Sequence, residues 1–267
     1  MLLNVKIIED IMQQYAPSKL KEDYDNVGLM VGDENAQVTK ILIALDCTLD
    51  VINEAKERGC NLILTHHPLL FVKPKTITSD TLIGKKIIEL IKNDINVYSS
   101  HTNLDCAKGG LNDIATVILG FNKYTIIEAS KEDANSGIGR LVLLSEPIKL
   151  MELCENVKRT FNAEFIRYVG NDNDLIKTIA IINGSGEDFF NISKKLGADC
   201  IITGDTKYHG VSDLKEENIA LIDVGHFATE WTPLQIFGEK LQKKLREYGY
   251  DNEVIISQST QEPYKTI

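Results

Sequence analysis

The sequence predicts an α/β fold, organised as two intertwined α/β lobes with mixed sheets. Short, nearly continuous apolar runs alternate with longer stretches of helical period, the pattern of strands covered on both faces by helices. A polar, glycine-bearing stretch in mid-chain, EASKEDANSGIG (128–139), reads as a crossing between lobes or as a long surface loop. The length of 267 residues, 43% of them hydrophobic and 25% charged, suffices for one large domain or two lobes.

MLLNVKIIEDIMQQ opens the chain with an amphipathic helix over 4–15. Its Lys, Glu and Asp within the first ten residues break the apolar run that a signal peptide or membrane span needs, so a cytoplasmic location is expected. KILIALD (40–46), NLILT (61–65) and NVYSS (96–100) read as buried strands, separated by helical patterns at 49–58 and 80–93 and followed by one at 110–119. Beyond the polar stretch, RLVLLS (140–145), KTIAII (177–182), DCIIT (199–203), IALID (219–223) and EVIIS (253–257) continue the strand pattern. Helices are expected at 149–160, 187–196 and 230–248. The expected lobes are 1–127, completed by 236–267, and 128–235.

Composition excludes several classes. With 39 acidic against 29 basic residues, the net charge of −10 repels a phosphate backbone, so nucleic acid is not an expected partner, and no membrane partner is expected either. The five cysteines are odd in number and lack CxxC spacing, which argues against a disulfide framework or a zinc ribbon. They read as small buried hydrophobes.

The segments just beyond the strands are more specific. NLILT runs into His66, His67 and Pro68; NVYSS into HTNLD, with His101 and Asp105; DCIIT into GDTKYH, with Asp205, Lys207 and His209; IALID into VGHFATE, with His226 and Glu230. All five histidines fall in these four segments. Open α/β sheets hold their ligands beyond the carboxyl ends of the strands, so the histidines are expected along one rim. Alone, a His pair reads as loop chemistry without meaning, and His226 with Glu230 as a solvated helix face. Together, each at a strand end, they read as a metal cluster at the strand C-terminal ends, in the cleft between the lobes. Imidazole suits zinc, iron or nickel, and a carboxylate can bridge two ions. Adjacent His66 and His67 diverge where Pro68 ends the strand, and can address two ions about 3.5–4 Å apart.

YDNVGLMVGD (24–33), LTHHPLLF (64–71), SSHTNLDCAKGGLND (99–113), GADCIITGDTKYH (197–209) and DVGHFATE (223–230) resemble, in order, the motifs of the GTP cyclohydrolase 1 type 2 family, the Nif-three-like dinuclear-metal proteins. The resemblance spans about residues 1 to 250. It implies two metal ions per chain, zinc or iron, held by His66, His67, Asp105, His226 and Glu230. It also implies a ring-shaped homohexamer with metal sites facing an internal cavity, and a small-molecule, nucleotide substrate. The family name implies hydrolytic opening of the purine imidazole ring of GTP with release of formate. Two alternatives remain: another metal-dependent hydrolase such as a phosphoesterase, because paired metals serve phosphate cleavage equally well, and a non-enzymatic metal-containing regulatory or binding protein. Departures from the family pattern are Tyr24 where Trp is usual, Cys106 beside the expected bridging Asp105, and a chain too short for the mid-chain inserted domain of longer members.

Other polar residues carry double readings. His101 either orients Asp105 or carries protons, or is a loop histidine; His209 is its counterpart as a proton carrier. Lys207 and Asp205 read as substrate-facing, Lys207 pairing with phosphate, or as solvent-facing. Asp25 and Asn26 read as residues that cap or turn the loop DNVG, or as residues of the rim, and Cys106 as a metal-tuning thiolate or a small buried thiol. NGSGED (183–188) places Gly184 and Gly186 before a helix, as a phosphate cradle or as a simple turn.

Overall fold

The computed structural model describes residues 2–266. The chain divides into two compact units, Met1–Leu104 with Leu234–Ile267, and Asp105–Pro233. The expected division at 127 and 128 therefore falls earlier, because the helix after HTNLD packs on the strands of the second unit.

The first unit begins with α1 (Val5–Tyr15), which Asn4 caps by accepting the Ile7 N–H at 2.9 Å. Val5, Ile8, Ile11 and Met12 form its buried stripe. The chain continues through β1 (Gly28–Val31), β2 (Ile41–Ala44), α2 (Leu49–Arg58), β3 (Leu62–Thr65), α3 (Leu82–Lys92), β4 (Asn96–Ser99) and α4 (Thr102–Cys106). Thr48 and Thr81 cap α2 and α3, and Gly59 closes α2 in the left-handed conformation at φ 68°.

The second unit holds α5 (Leu111–Ile118), β5 (Thr125–Ala129), β6 (Gly137–Lys149), α6 (Leu150–Thr160), β7 (Arg167–Val169), β8 (Leu175–Ser185), α7 (Phe190–Lys195), β9 (Cys200–Gly204), α8 (Tyr208–Glu216) and β10 (Ala220–Asp223). The helix α9 (His226–Glu247) starts in this unit and its later residues belong to the first, which β11 (Val254–Ile256) completes.

Each unit has one mixed sheet. In the first the order is β1-β4-β3-β2-β11, parallel except for the antiparallel edge β1. Its β2, β3 and β4 are buried throughout, as the apolar runs of β2 and β3 require, while the polar ends of β4 are paired, Asn96 Nδ2 with the Asn61 carbonyl and Ser99 Oγ with Thr65 Oγ1. In the second the order is β5-β6-β8-β9-β10-β7, with β8, β9 and β10 parallel and the rest antiparallel. Successive residues of β8 serve opposite faces: Ile179 and Ile181 join one core with Leu153 and Val157, while Ala180 and Ile182 join another with Phe190.

Several elements depart from the sequence expectation. The stretch 128–139 is a hairpin inside the second unit, not a crossing: Ala129 pairs with Gly137, and Asp133 turns the loop by accepting the Asn135 N–H at 3.0 Å. The short edge strands β1 and β7, and α8, are not among the elements expected from the sequence: β1 and β7 are only four and three residues long, and α8 has a single buried residue, Leu214. The last long helix begins at His226, not residue 230. No helix among the described residues is long and apolar enough to cross a membrane. All five cysteines are buried thiols, and burial pushes Cys47 up to about 12 and Cys154 up to about 11, which makes them inert.

Candidate metal centre

Parallel register builds a cluster of candidate ligands in the first unit. Ala44 pairs with Thr65, and Thr65 with Ser99, so the residues after β2, β3 and β4 emerge side by side at one sheet edge. These are Asp46, His66 with His67, and Ser100 with His101. The His66 ring is fully buried, and its Nδ1 lies 3.0 Å from the Ser100 carbonyl. A carbonyl only accepts, so Nδ1 carries the hydrogen and the lone pair sits on Nε2. His67 repeats this logic with Nδ1 donating to Asp46 Oδ1 at 2.9 Å.

His101 joins them. Its ring centroid lies 5.1 Å from that of His66 and 5.6 Å from that of His67. One nitrogen from each of the three lies within 4.8 Å of the others. Asp25 holds it, with Oδ1 accepting from His101 Nδ1 at 2.8 Å and Oδ2 accepting from the Thr102 N–H and hydroxyl. Burial raises the Asp25 carboxyl, but the bonds from His101 and Thr102 outweigh it and hold the group at about 2. Asp25 is thus an anchor of the site, beyond the turn role its motif suggested. Asn26 donates from Nδ2 to the Leu70 carbonyl at 2.8 Å. Tyr24 is 68% exposed and meets the edge of the Phe71 ring.

The second unit supplies another group by the same means. Asp223 pairs with Thr203 and Gly204 with Ser185, so β8, β9 and β10 end together. His226, the first residue of α9, lies between two carboxylates: Nδ1 is 2.6 Å from Asp205 Oδ2 and Nε2 is 2.9 Å from Glu230 Oε2. The four-residue spacing places His226 and the buried Glu230 on one helix face. Burial opposes a charge on His226, but the hydrogen bonds and charges of Glu230 and then Asp205 raise its pKa to about 9. Without metal a proton occupies the space between His226 and Glu230. Asp205, read from the sequence as substrate-facing, holds His226, and does so from the left-handed region at φ 49°.

Two glycines let the strand ends close on α9. A Cβ on Gly184 would lie 2.1 Å from Glu230 Oε1, and one on Gly204 would lie 2.6 Å from the backbone nitrogen of His226. The Gly184 N–H donates to Thr229 Oγ1 and the Gly186 N–H to Thr203 Oγ1, both at 3.0 Å. These amides are therefore committed, and NGSGED is not a phosphate cradle. Asp105 is half-buried in α4, and its carbonyl accepts from Asn112 Nδ2 at 3.1 Å. Cys106 beside it is a buried thiol. His209 and Lys207 are exposed: the His209 ring sits 5.4 Å from that of Tyr208, and the Lys207 N–H donates to Glu187 Oε2. Neither belongs to a metal-compatible cluster among the described residues.

The donor set fits a divalent transition ion. Imidazole nitrogens oriented through their second nitrogen by a carbonyl or carboxylate, joined by a buried carboxylate, are the donors that zinc and iron take.

Comparisons with known proteins agree with this architecture. The family model Duf34/NIF3 (NGG1p interacting factor 3) matches residues 3–263. A Clostridium acetobutylicum protein named GTP cyclohydrolase 1 type 2 homolog is 53% identical, covering 99% of each chain, and its Clostridium perfringens namesake is 55% identical over 98% of each. Among solved structures, a Staphylococcus aureus hypothetical protein superposes with a TM-score of 0.93 at 29% identity over the whole of both chains. Reduced HcgD from Methanocaldococcus jannaschii gives a TM-score of 0.80 at 29% identity, covering 97% of this chain and 99% of its own.

Proposed function

The chain belongs to the Duf34/NIF3 family, and from that premise we propose that it is a hydrolase working with two divalent metal ions, zinc or iron, held by His66, His67, Asp105, His226 and Glu230. The observation that carries this is the shared treatment of three of these imidazoles. His66, His67 and His226 each commit Nδ1 to an oxygen acceptor, which turns Nε2 toward metal duty.

Paired divalent ions, when bound, acidify water enough for attack near neutral pH and polarise the electrophile. The chain's own residues do the rest. The Ser100 carbonyl, Asp46 and Asp205 hold the ligand rings in one orientation. Asp25 fixes His101 with its proton on Nδ1, so that Nε2 can coordinate or accept a proton from a reacting group. The finer proposal takes its substrate from the name of the relatives: a purine nucleotide, GTP, whose imidazole ring is opened with loss of formate. The family resemblance also supports assembly into a hexameric ring.

The test is formate release from GTP by protein loaded with zinc or with iron. Turnover that disappears in Glu230→Gln, with the fold retained, supports the proposal. Loaded wild-type protein that releases no formate while hydrolysing a model phosphoester moves the activity to phosphoester cleavage. Loaded protein that turns over neither overturns the enzyme reading.

A further inference from the structure

Asn183 carries the observation that the metal centre does not use. It lies near the end of β8, two residues beyond Ile181, where the pairing with β9 shifts register between Ile181 and Ser185. Its side chain is buried, at 8% exposure, yet neither Oδ1 nor Nδ2 has a hydrogen-bond partner among the described residues. Several polar groups beside it are paired. The Asn183 N–H donates to Asn112 Oδ1 at 3.1 Å, and Asn112 Nδ2 donates to the Asp105 carbonyl. Thr229 and Thr203 each make several bonds to the backbone around Gly184. The next residue, Gly184, presses against Glu230. A buried carboxamide without a partner among the described residues costs stability, and a bound partner removes that cost.

We propose that Asn183 is a substrate-reading residue whose carboxamide pairs with the neutral amide edge of a heterocyclic lactam. This rests on the reading of the surrounding carboxylates and His226 as a metal centre that acts on a small molecule. A carboxamide offers one acceptor and a donor pair. It accepts from the ring N–H and donates to the ring carbonyl, the pairing that asparagine makes with bases elsewhere. The ionisable residues of the local network are Asp105, Asp205, His226 and Glu230, and a neutral amide edge is the group that matches both the acceptor and the donors of a neutral carboxamide. A site built to pair with a polar edge rejects the analogue that lacks it.

The experiment titrates full-length, zinc-loaded protein calorimetrically with hypoxanthine, which has the lactam edge, and with purine, which lacks it. Wild-type protein is expected to bind hypoxanthine at least tenfold more tightly. Asn183→Leu is expected to abolish the difference while keeping the metal content and a Tm no lower than wild type, because it removes two unsatisfied atoms without changing the shape greatly. Asn183→Asp, which accepts but cannot donate, is expected to lose the preference as well, and serves where the leucine variant does not fold. Equal or absent binding of the two probes by wild type overturns the assignment. So does a preference that survives either substitution, or a lower Tm of ligand-free Asn183→Leu, which would reveal a structural partner. Metal content measured on the same samples separates the two readings: protein without metal that still prefers hypoxanthine sinks the metal centre alone, and metal-loaded protein without preference sinks the role of Asn183 alone.

Discussion

A proton held between His226 and Glu230 competes directly with a metal ion for the same nitrogen. The pKa of His226, about 9, stands above the ordinary imidazole value near 6.5, so in metal-free protein the charged ring adds stability that is complete below about pH 6.5. That contribution is lost as pH rises through about 9. Zinc must displace this proton, so affinity at this position is expected to rise about tenfold per pH unit up to about pH 9 and then level off. Competition with a chromophoric chelator measures it, and a flat profile between pH 7 and pH 9 would refute the displacement. Asp205→Asn weakens both the charge and the orientation of His226, and is expected to lower metal affinity about 10–100-fold. Gly184 sets a steric limit at the same place. Gly184→Ala adds a Cβ 2.1 Å from Glu230 Oε1 and fixes an L side chain at φ 61°, which is expected to cost about 1–3 kcal/mol and to reduce bound metal. Chemical denaturation and elemental analysis check the two effects, and an alanine variant with wild-type values in both would show that Glu230 yields freely.

At the scale of elements, Glu54 on α2 fastens the segment after β11. Its carboxylate accepts from Ser257 Oγ at 2.7 Å, from the N–H groups of Gln258 and Ser259, and from Arg58. Burial raises this carboxyl, but the hydrogen bonds from Gln258, Ser257 and Ser259 prevail and hold it at about 2. A depressed carboxyl stabilises the fold above its unfolded value near 4.3 and loses that contribution as pH falls toward 2. The difference of about two pH units corresponds to roughly 2–3 kcal/mol. Glu54→Gln is therefore expected to lower stability at pH 7 on that order, and to flatten the acid limb of the stability profile between about pH 4.5 and pH 2. Urea titrations across that range decide it, and parallel profiles for the two proteins would exclude Glu54 as the anchor.

At the scale of the molecule, both units have their own sheet and apolar core. The proposed ligands lie just beyond the end of β3, in α4 and in the first turns of α9, and none is a member of those apolar clusters. Metal is therefore expected to serve chemistry and not the fold: chelated protein should keep its far-ultraviolet circular dichroism, while protein purified without chelator should hold close to two equivalents. Unfolding on chelation would assign the ions a structural role. Val72, Leu143 and Tyr208 are apolar or aromatic side chains exposed on this chain. Light scattering is expected to find a hexamer, and a stable monomer at micromolar concentration would refute it.

Local sequence was enough for the α/β class, the buried strands and the gathering of histidines after them, because an unbroken apolar run ended by imidazole, glycine or proline is a local signal. It also sufficed for the family, through motifs spaced along the chain. It specified neither the edge strands β1 and β7 nor the hairpin at 128–139, whose pairing depends on partners distant in the chain. It took the folded chain to show that His101 stands with His66 and His67, that Asp46, Asp25 and Asp205 each hold an imidazole, and that Asn183 is buried without partners among the described residues. The physical reason is register: parallel pairing aligns strand ends that are tens of residues apart, so which side chains share a rim is decided when the sheet forms and not by any local pattern.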